Sequence, residues 1–273
     1  MSSPITITHI SKIKIERMEK KDGWAISEFR LPITGNDGSA TAVFHSIFRP
    51  GSTHAKHLHK NCDEIAVYLK GHGVVGQSNS RAEVTNGNCR LMPRGTEHFF
   101  YNETKEEDAE VIGFYVGAQS VPETGYKFCG HADAKDLEMP RKGLNEGVLV
   151  QLEECNKTSE ANNIYINADL RVPIGTHYGS ENALIFASFK PGGELIPNRS
   201  DNCEQIYYVI SGNGVAGSGD YQLAVSKGSF VFIPKGTVHW LKNESSSMKL
   251  EIYNVLTAAG SITEANYIPI DTT

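Results

Sequence analysis

The sequence predicts an all-β chain made of two tandem barrel or sandwich domains, on three observations. First, the chain is written twice. Gly51, Gly71, Gly87, Pro93, Gly95, His98 and Asn102 recur as Gly192, Gly212, Gly228, Pro234, Gly236, His239 and Asn243, at a constant offset of 141. Aligned without a gap, residues 51–102 and 192–243 share 15 identities in 52 positions, so one supersecondary plan is used in both halves. Second, each copy is a series of short β-branched and aromatic runs punctuated by Gly and Pro, the pattern of a sandwich or barrel. Third, no stretch carries the period of a long helix.

The elements follow in order. Residues 1–21 alternate Ile with polar residues and contain no signal-peptide core, which predicts a cytoplasmic protein. Residues 40–48 read as a strand ended by Pro50-Gly51, and residues 65–69 as a shorter one ended by Gly71-His72-Gly73. Residues 89–92 lead into a Pro93-Arg94-Gly95 turn, and strands at 98–102 and 111–116 complete the first copy. In the second copy, residues 184–189, 206–210, 230–233, 239–242 and 250–255 match these one by one. Residues 119–160 are rich in charge and show no clear strand pattern. They are expected to connect the domains and supply the opening strand of the second. The expected division is 1–140 and 141–273.

Composition narrows the function. The 273 residues carry a formal net charge of -6, with 39% hydrophobic and 21% charged residues, ordinary for a soluble globular chain. No basic stripe marks a nucleic-acid partner, and no apolar run approaches the ~20 residues of a membrane span. The five cysteines are scattered without a Cys-x-x-Cys pair, which predicts free thiols in a reducing compartment. Triplets such as Asn102-Glu103-Thr104 and Asn243-Glu244-Ser245 are better explained by turn chemistry than as glycan acceptors. Gly71-His-Gly-Val-Val-Gly76 imitates a dinucleotide-binding loop, but a strand follows it where that loop needs a helix. A tight hairpin with glycines at positive φ is the expected reading.

Five of the ten histidines fall between residues 45 and 72. His57 and His59, one residue apart on a strand, point to the same face. Glu64 can return after a turn, and His98 can arrive from a third strand beyond Pro93. Three imidazoles and a carboxylate suit one divalent transition ion, with Fe(II) favoured and Mn, Ni, Cu or Zn compatible. Burying the four without a metal is costly.

These residues carry a resemblance. Gly51-x5-His57-x-His59-x4-Glu64-x6-Gly71 and Gly87-x5-Pro93-x-Gly95-x2-His98-x3-Asn102 match the two sequence motifs of the cupin family at every position. The resemblance implies jelly-roll barrels, two on one chain as in bicupins, with His57, His59, Glu64 and His98 as metal ligands. In size and layout the chain looks most similar to bicupins of bacterial polyketide and antibiotic pathways. The second copy departs from the motif: His57, His59 and Glu64 become Asn198, Ser200 and Gln205, and only His239 stays. Glu204 lies beside the slot, but the frame set by Gly212 aligns Gln205. The second barrel is expected to be metal-free, with His239, Trp240 and Gln205 lining a polar cavity or a filled core.

Strand parity places Ala66 and Tyr68 on the Glu64 face, and Phe100 and Asn102 on the His98 face. Tyr68 and Phe100 are candidate substrate-binding residues, with core packing as the competing role. His54 reads as a loop histidine, exposed or a mobile base, and His72 as exposed. His45 shares a strand face with Arg49, and Cys62 aligns with Cys203 as a packing position. The resemblance permits a dioxygenase acting on a dicarbonyl, enol or phenolic compound, with Glu64 as ligand or base. It also permits a Lewis-acid isomerase, cyclase or lyase, or a non-catalytic binder. Oxalate-decarboxylase-like chemistry is disfavoured, because similar bicupins of that group carry ligands in both barrels. The expected partner is a small-molecule substrate, with a homodimer as the expected assembly.

Overall fold

The computed structural model describes residues 4–16, 24–77, 80–132, 136, 138, 147–161 and 163–270. They fall into two compact units, 13–36 with 40–154, and 1–12 with 37–39 and 155–273.

Among its described residues the first unit has two antiparallel sheets of six strands each. One runs in the order Tyr126–Gly130, Thr53–His59, His98–Tyr101, His72–Gln77, Ser80–Thr85, with Trp24–Ala25 also paired to Thr53–His59. The other runs Val148–Gln151, Asn88–Met92, Asp63–Lys70, Ala109–Val116, Thr41–Phe48, Glu28–Ile33. Their inward faces share one core in which Phe29, Phe44, Tyr68 and Tyr115 meet Val75 and Phe100. Aromatic stacking adds to area burial there, with Phe48 and Phe100 at 4.5 Å and Phe44 and Tyr115 at 4.8 Å.

In the second unit the strands form one continuous sheet of eleven. The 17-residue strand Ala183–Arg199 runs unbroken through the point where the first copy is interrupted at Pro50-Gly51. Its core is aliphatic and aromatic, around Phe189, Tyr207, Val231, Leu241 and Ile252.

Three strands differ from expectation. Thr6–His9 pairs with Ser229–Ile233 in the second unit, Thr6 opposite Phe232, and Ile5 sits in that unit's core. Val148–Gln151, expected to open the second domain, instead pairs with Asn88–Met92 and closes a sheet of the first. Tyr126–Gly130, in a stretch without a strand pattern, pairs with Thr53–His59. Short, half-buried edge strands carry little periodicity, and their partners are chosen by long-range packing that local sequence does not encode.

The glycine stretch 71–76 leads into a strand, as expected, but not through a hairpin: Asp63–Lys70 and His72–Gln77 lie in different sheets, and His72–Gln77 pairs instead with Ser80–Thr85. Of the glycines in that stretch only Gly71 has positive φ, +77°, and a Cβ there would meet the Asp108 carbonyl at 2.4 Å. Gly76 is small because the Phe99 ring lies over it, 2.0 Å from where a Cβ would stand.

Asn102 and Asn243 are buried brackets. The Asn102 amide donates to the Phe48 and Glu107 carbonyls at 2.8 Å each and accepts from Thr104 N–H at 2.9 Å. Asn243 repeats this with Phe189, Met248 and Ser245 at 3.1, 2.9 and 3.1 Å. Turn chemistry thus accounts for both Asn-x-Ser/Thr triplets.

Candidate metal centre

The four candidate ligands converge. His57, His59, Glu64 and His98 are buried, and one ligand atom from each lies within 4.8 Å of the others. His57 and His59 project from Thr53–His59 with Leu58 between them, and His98 stands directly opposite His57 on the paired strand. A register shift follows His98, freeing its ring from the regular alternation. Glu64 does not come from a hydrogen-bonded neighbour. It lies on Asp63–Lys70 in the opposite sheet, so the cluster is clamped between the two inner faces.

Orientation is set by the backbone. His57 Nδ1–H donates to the Ala55 carbonyl at 2.6 Å, and His98 Nδ1–H to the Thr96 carbonyl at 2.9 Å. Each bond fixes the tautomer with the Nε2 lone pair turned inward. Glu64 Oε2 lies 3.0 Å from His59 Nε2 and 3.3 Å from His98 Nε2. Yet all three Nε2 atoms and Glu64 Oε2 are buried without hydrogen-bond geometry to any partner. Four orphaned inward groups of this chemistry are a set that would hold one divalent ion.

The electrostatics favour the same protonation states. Burial lowers His57 well below the ordinary imidazole value, helped by His54 and His98, and lowers His98 against the pull of Glu64. Burial alone would raise the Glu64 carboxyl, but His59 and His98 outweigh it and hold it below the usual carboxylate range. Neutral imidazoles around an ionised carboxylate are what a divalent ion needs.

Beside the ligands lies a small cavity of about 30 Å³, lined in part by His57, Glu64, His98, Tyr68, Phe100 and Arg90. That volume admits about two or three water-sized groups. Tyr68 and Phe100 both stand in its wall and stack on each other at 5.8 Å. His54 departs from the loop expectation. It lies on Thr53–His59, is buried, and stacks on His57 at 3.7 Å with 24° between the planes. Burial pushes its pKa down to about 3, Glu64 opposing, so it is a neutral wall of the site. His72 is exposed and bonded to Glu107 at 2.9 Å. His45 is buried with its Nε2 2.7 Å from Glu110, on the strand face opposite Phe44, Ser46 and Phe48, which line the cavity. Cys62 and Cys203 are both buried packing thiols, Cys62 pushed up to about 12 by burial and then Glu64.

Three site residues escaped the sequence reading. Tyr115 lies 4.9 Å from His59, and Tyr126 lies 5.1 Å from His57 and 6.0 Å from His59. Arg90 is opposite Ala66 in register, two residues along from the Glu64–Met92 pair and on the same face. A signal existed for Arg90: a lone charge in the apolar run 89–92, where the repeat has Val231.

In the second barrel the corresponding place is filled. The Tyr207 hydroxyl donates to His239 Nε2 at 2.8 Å, where Ala66 in the first copy leaves space. Gln205 faces inward, its Oε1 accepting from Asn254 and Tyr267 at 3.1 Å each. Asn198 donates to the Ile196 carbonyl at 2.7 Å, and Ser200 to the Ala265 carbonyl at 2.5 Å. Every former ligand position has become an internal hydrogen bond. Trp240 is only half-buried.

His239 carries a testable consequence. Burial lowers its pKa to about 4, the Thr237 carbonyl opposing, against roughly 6.5 unfolded. The native state therefore binds fewer protons below pH 6.5. The stabilisation is complete above that pH and lost as pH falls through 4, a difference of up to about 3 kcal/mol. Urea unfolding at pH 7, 5.5 and 4.5 is expected to show this slope, and His239→Gln to flatten it. An unchanged slope in the variant would assign the acid sensitivity to other groups.

Comparison with known proteins agrees with this architecture. A family model described as "Cupin" matches residues 25–126, and one described as "Cupin domain" matches residues 185–256. Oxalate oxidase GF-2.8 of Triticum aestivum is 35% identical over 75 residues, 24% of this chain and 34% of that protein. Oxalate oxidase 2 of Hordeum vulgare has the same identity and coverage. The matched stretch thus spans about a third of those curated relatives. Among solved structures, a variant of Bacillus subtilis oxalate decarboxylase superposes with TM-score 0.71 at 15% identity, covering 99% of this chain and 80% of that one. The Lactobacillus farciminis oxalate decarboxylase formate complex gives 0.69 at 13% identity, covering 97% and 88%. At such identities the likeness is one of fold. Among the described residues, no helix is long and apolar enough to cross a membrane.

Proposed function

The chain belongs to the cupin superfamily as a two-barrel member, and from that premise we propose that its N-terminal barrel is a mononuclear metal-dependent enzyme for a small, oxygen-rich substrate. The reading put first is a dioxygenase acting on a dicarbonyl or enol. One observation carries the proposal: three imidazole Nε2 atoms and a carboxylate oxygen, buried and unbonded, face one another beside a cavity. A divalent ion held there would polarise a chelating carbonyl or enolate oxygen and, if redox-active, pass electrons to dioxygen.

The protein's own residues do the rest. His57 and His98 are locked by their Nδ1–H bonds, so the ligand set is pre-organised. Phe48, Phe99 and Phe100 line the cavity and limit water at the reacting atoms. Glu64 lies where it can hold the ion or receive a proton from a substrate bound beside it.

A second reading is oxidation of a small dicarboxylate. The stretch of similarity to oxalate oxidases and the narrow cavity favour it. Oxygen uptake by the metal-analysed protein, with dicarbonyl, catechol and oxalate substrates under labelled dioxygen, separates the two. Label in the organic product is the result expected for a dioxygenase. Peroxide release without incorporation selects the oxidase. A chain without stoichiometric metal and without turnover would leave the barrel a non-catalytic binder.

A further inference from the structure

We infer that Arg90 is the receptor for a carboxylate group on the substrate, so that the N-terminal barrel takes small carboxylic acids. This rests on the metal-centre reading above and names the substrate class of the same site. Arg90 is 1% exposed. It stands on the inward face of Asn88–Met92, opposite Ala66, and it lines the cavity together with Glu64, His98 and Tyr68. Its charge is weakly compensated. One terminal nitrogen donates to the Phe99 carbonyl at 3.5 Å and the other to the Gly76 carbonyl at 3.3 Å, the neutral Tyr68 hydroxyl also meets the guanidinium, and Nε has no partner. Among the described residues no ion pair to Arg90 forms. A guanidinium stays protonated even when buried, and an unpaired buried charge is costly.

The fold itself does not ask for that charge. The equivalent strand position in the second barrel is Val231, fully buried in an apolar core. Barrel two therefore makes the same strand without a cation, and the difference between copies tracks the cavity. There Tyr207 fills the space that Ala66 leaves open in barrel one. Charge balance points the same way. Three neutral imidazoles, one carboxylate and a divalent ion sum to a net positive site, and Arg90 adds another positive charge. An anion brings the total toward neutrality, and the fork of a guanidinium matches a carboxylate in two hydrogen bonds. A cavity of about 30 Å³ restricts the acid to a short one.

The test uses the full chain loaded with Mn(II) or Co(II). Calorimetric titration, and the electronic or paramagnetic spectrum of the ion, follow the binding of oxalate and of oxamide, its neutral diamide isostere. Wild type is expected to prefer oxalate. Arg90→Gln and Arg90→Val, the latter carrying the residue the repeat uses, are expected to keep one ion per chain and to weaken oxalate by about tenfold or more. Oxamide binding should change little, and Arg90→Lys should recover part of the loss. Equal oxalate affinity in wild type and the metal-loaded variants would overturn the assignment, as would wild type binding neither acid nor isostere. If the chain takes up no metal, the metal-centre reading fails by itself. Thermal protection of that metal-free chain by oxalate then decides on Arg90: protection lost in Arg90→Val upholds it, and protection unchanged or absent refutes it.

Discussion

Glu64→Gln is expected to empty the N-terminal barrel of its ion, taking the metal content from one per chain to below about 0.1 and lowering affinity by more than about 100-fold. Outer-shell substitutions alone cost about 10- to 100-fold, and this one removes the only carboxylate among the clustered ligands. Its effect on stability should change sign with metal. At free metal a thousand times Kd, the wild-type chain gains about 4 kcal/mol by mass action, and a variant 100-fold weaker gains no more than about 1.4 kcal/mol. Under a chelator the order is expected to level or reverse. The metal-free wild type holds a buried carboxylate 3.0 and 3.3 Å from two imidazole nitrogens without hydrogen-bond geometry. A carboxamide there can donate, as Gln205 meets His239 at 3.3 Å in the second barrel. Elemental analysis and thermal unfolding with and without chelator check both halves. A variant that retained the ion would show that Glu64 is not a ligand.

Much of this was legible beforehand, and the reason is physical. Ligand residues on strands inherit a period of two, so His57-x-His59 places both rings on one face whatever the rest of the chain does. The Pro93 turn, the buried Asn102 bracket and the Gly71 turn are local constraints, each satisfied by few residue types. What stayed hidden depends on contacts far apart in sequence. Nothing local assigns Thr6–His9 to the second barrel's sheet or Val148–Gln151 to the first. Tyr126 reaches the ligands from a stretch that reads as irregular. His54 looked like a loop residue because its strand, Thr53–His59, begins only three residues after Pro50. Arg90 was visible as a charge in an apolar run, but its meaning required knowing that it faces the cavity and forms no ion pair among the described residues. Loss of the ligands from the second copy could be read from Asn198, Ser200 and Gln205. The group that took their place, Tyr207, could not, because a tyrosine in an apolar strand reads as ordinary core.

At Tyr207 the two barrels therefore differ in packing as well as in chemistry. Tyr207→Ala, which installs the residue of the first copy, is expected to destabilise the second barrel by about 3–5 kcal/mol. The side chain is 1% exposed within the aliphatic core. Its hydroxyl proton also lies between two acceptors, His239 Nε2 at 2.8 Å and Gln205 Oε1 at 3.1 Å. Truncation thus leaves a cavity and removes a hydrogen bond from a buried imidazole at once. Tyr207→Phe separates the two effects. It keeps the ring and loses only the hydroxyl, for about 1–3 kcal/mol. Urea unfolding followed by Trp240 fluorescence in a Trp24→Phe background reads the second barrel, since the chain has two tryptophans. Neither variant should gain metal, because Asn198, Ser200 and Gln205 offer neutral, already bonded groups. A cost near zero for Tyr207→Ala would mean that the hydroxyl network does not hold this core together. The barrel would then have to be regarded as an open site of its own, with His239 free to meet a ligand.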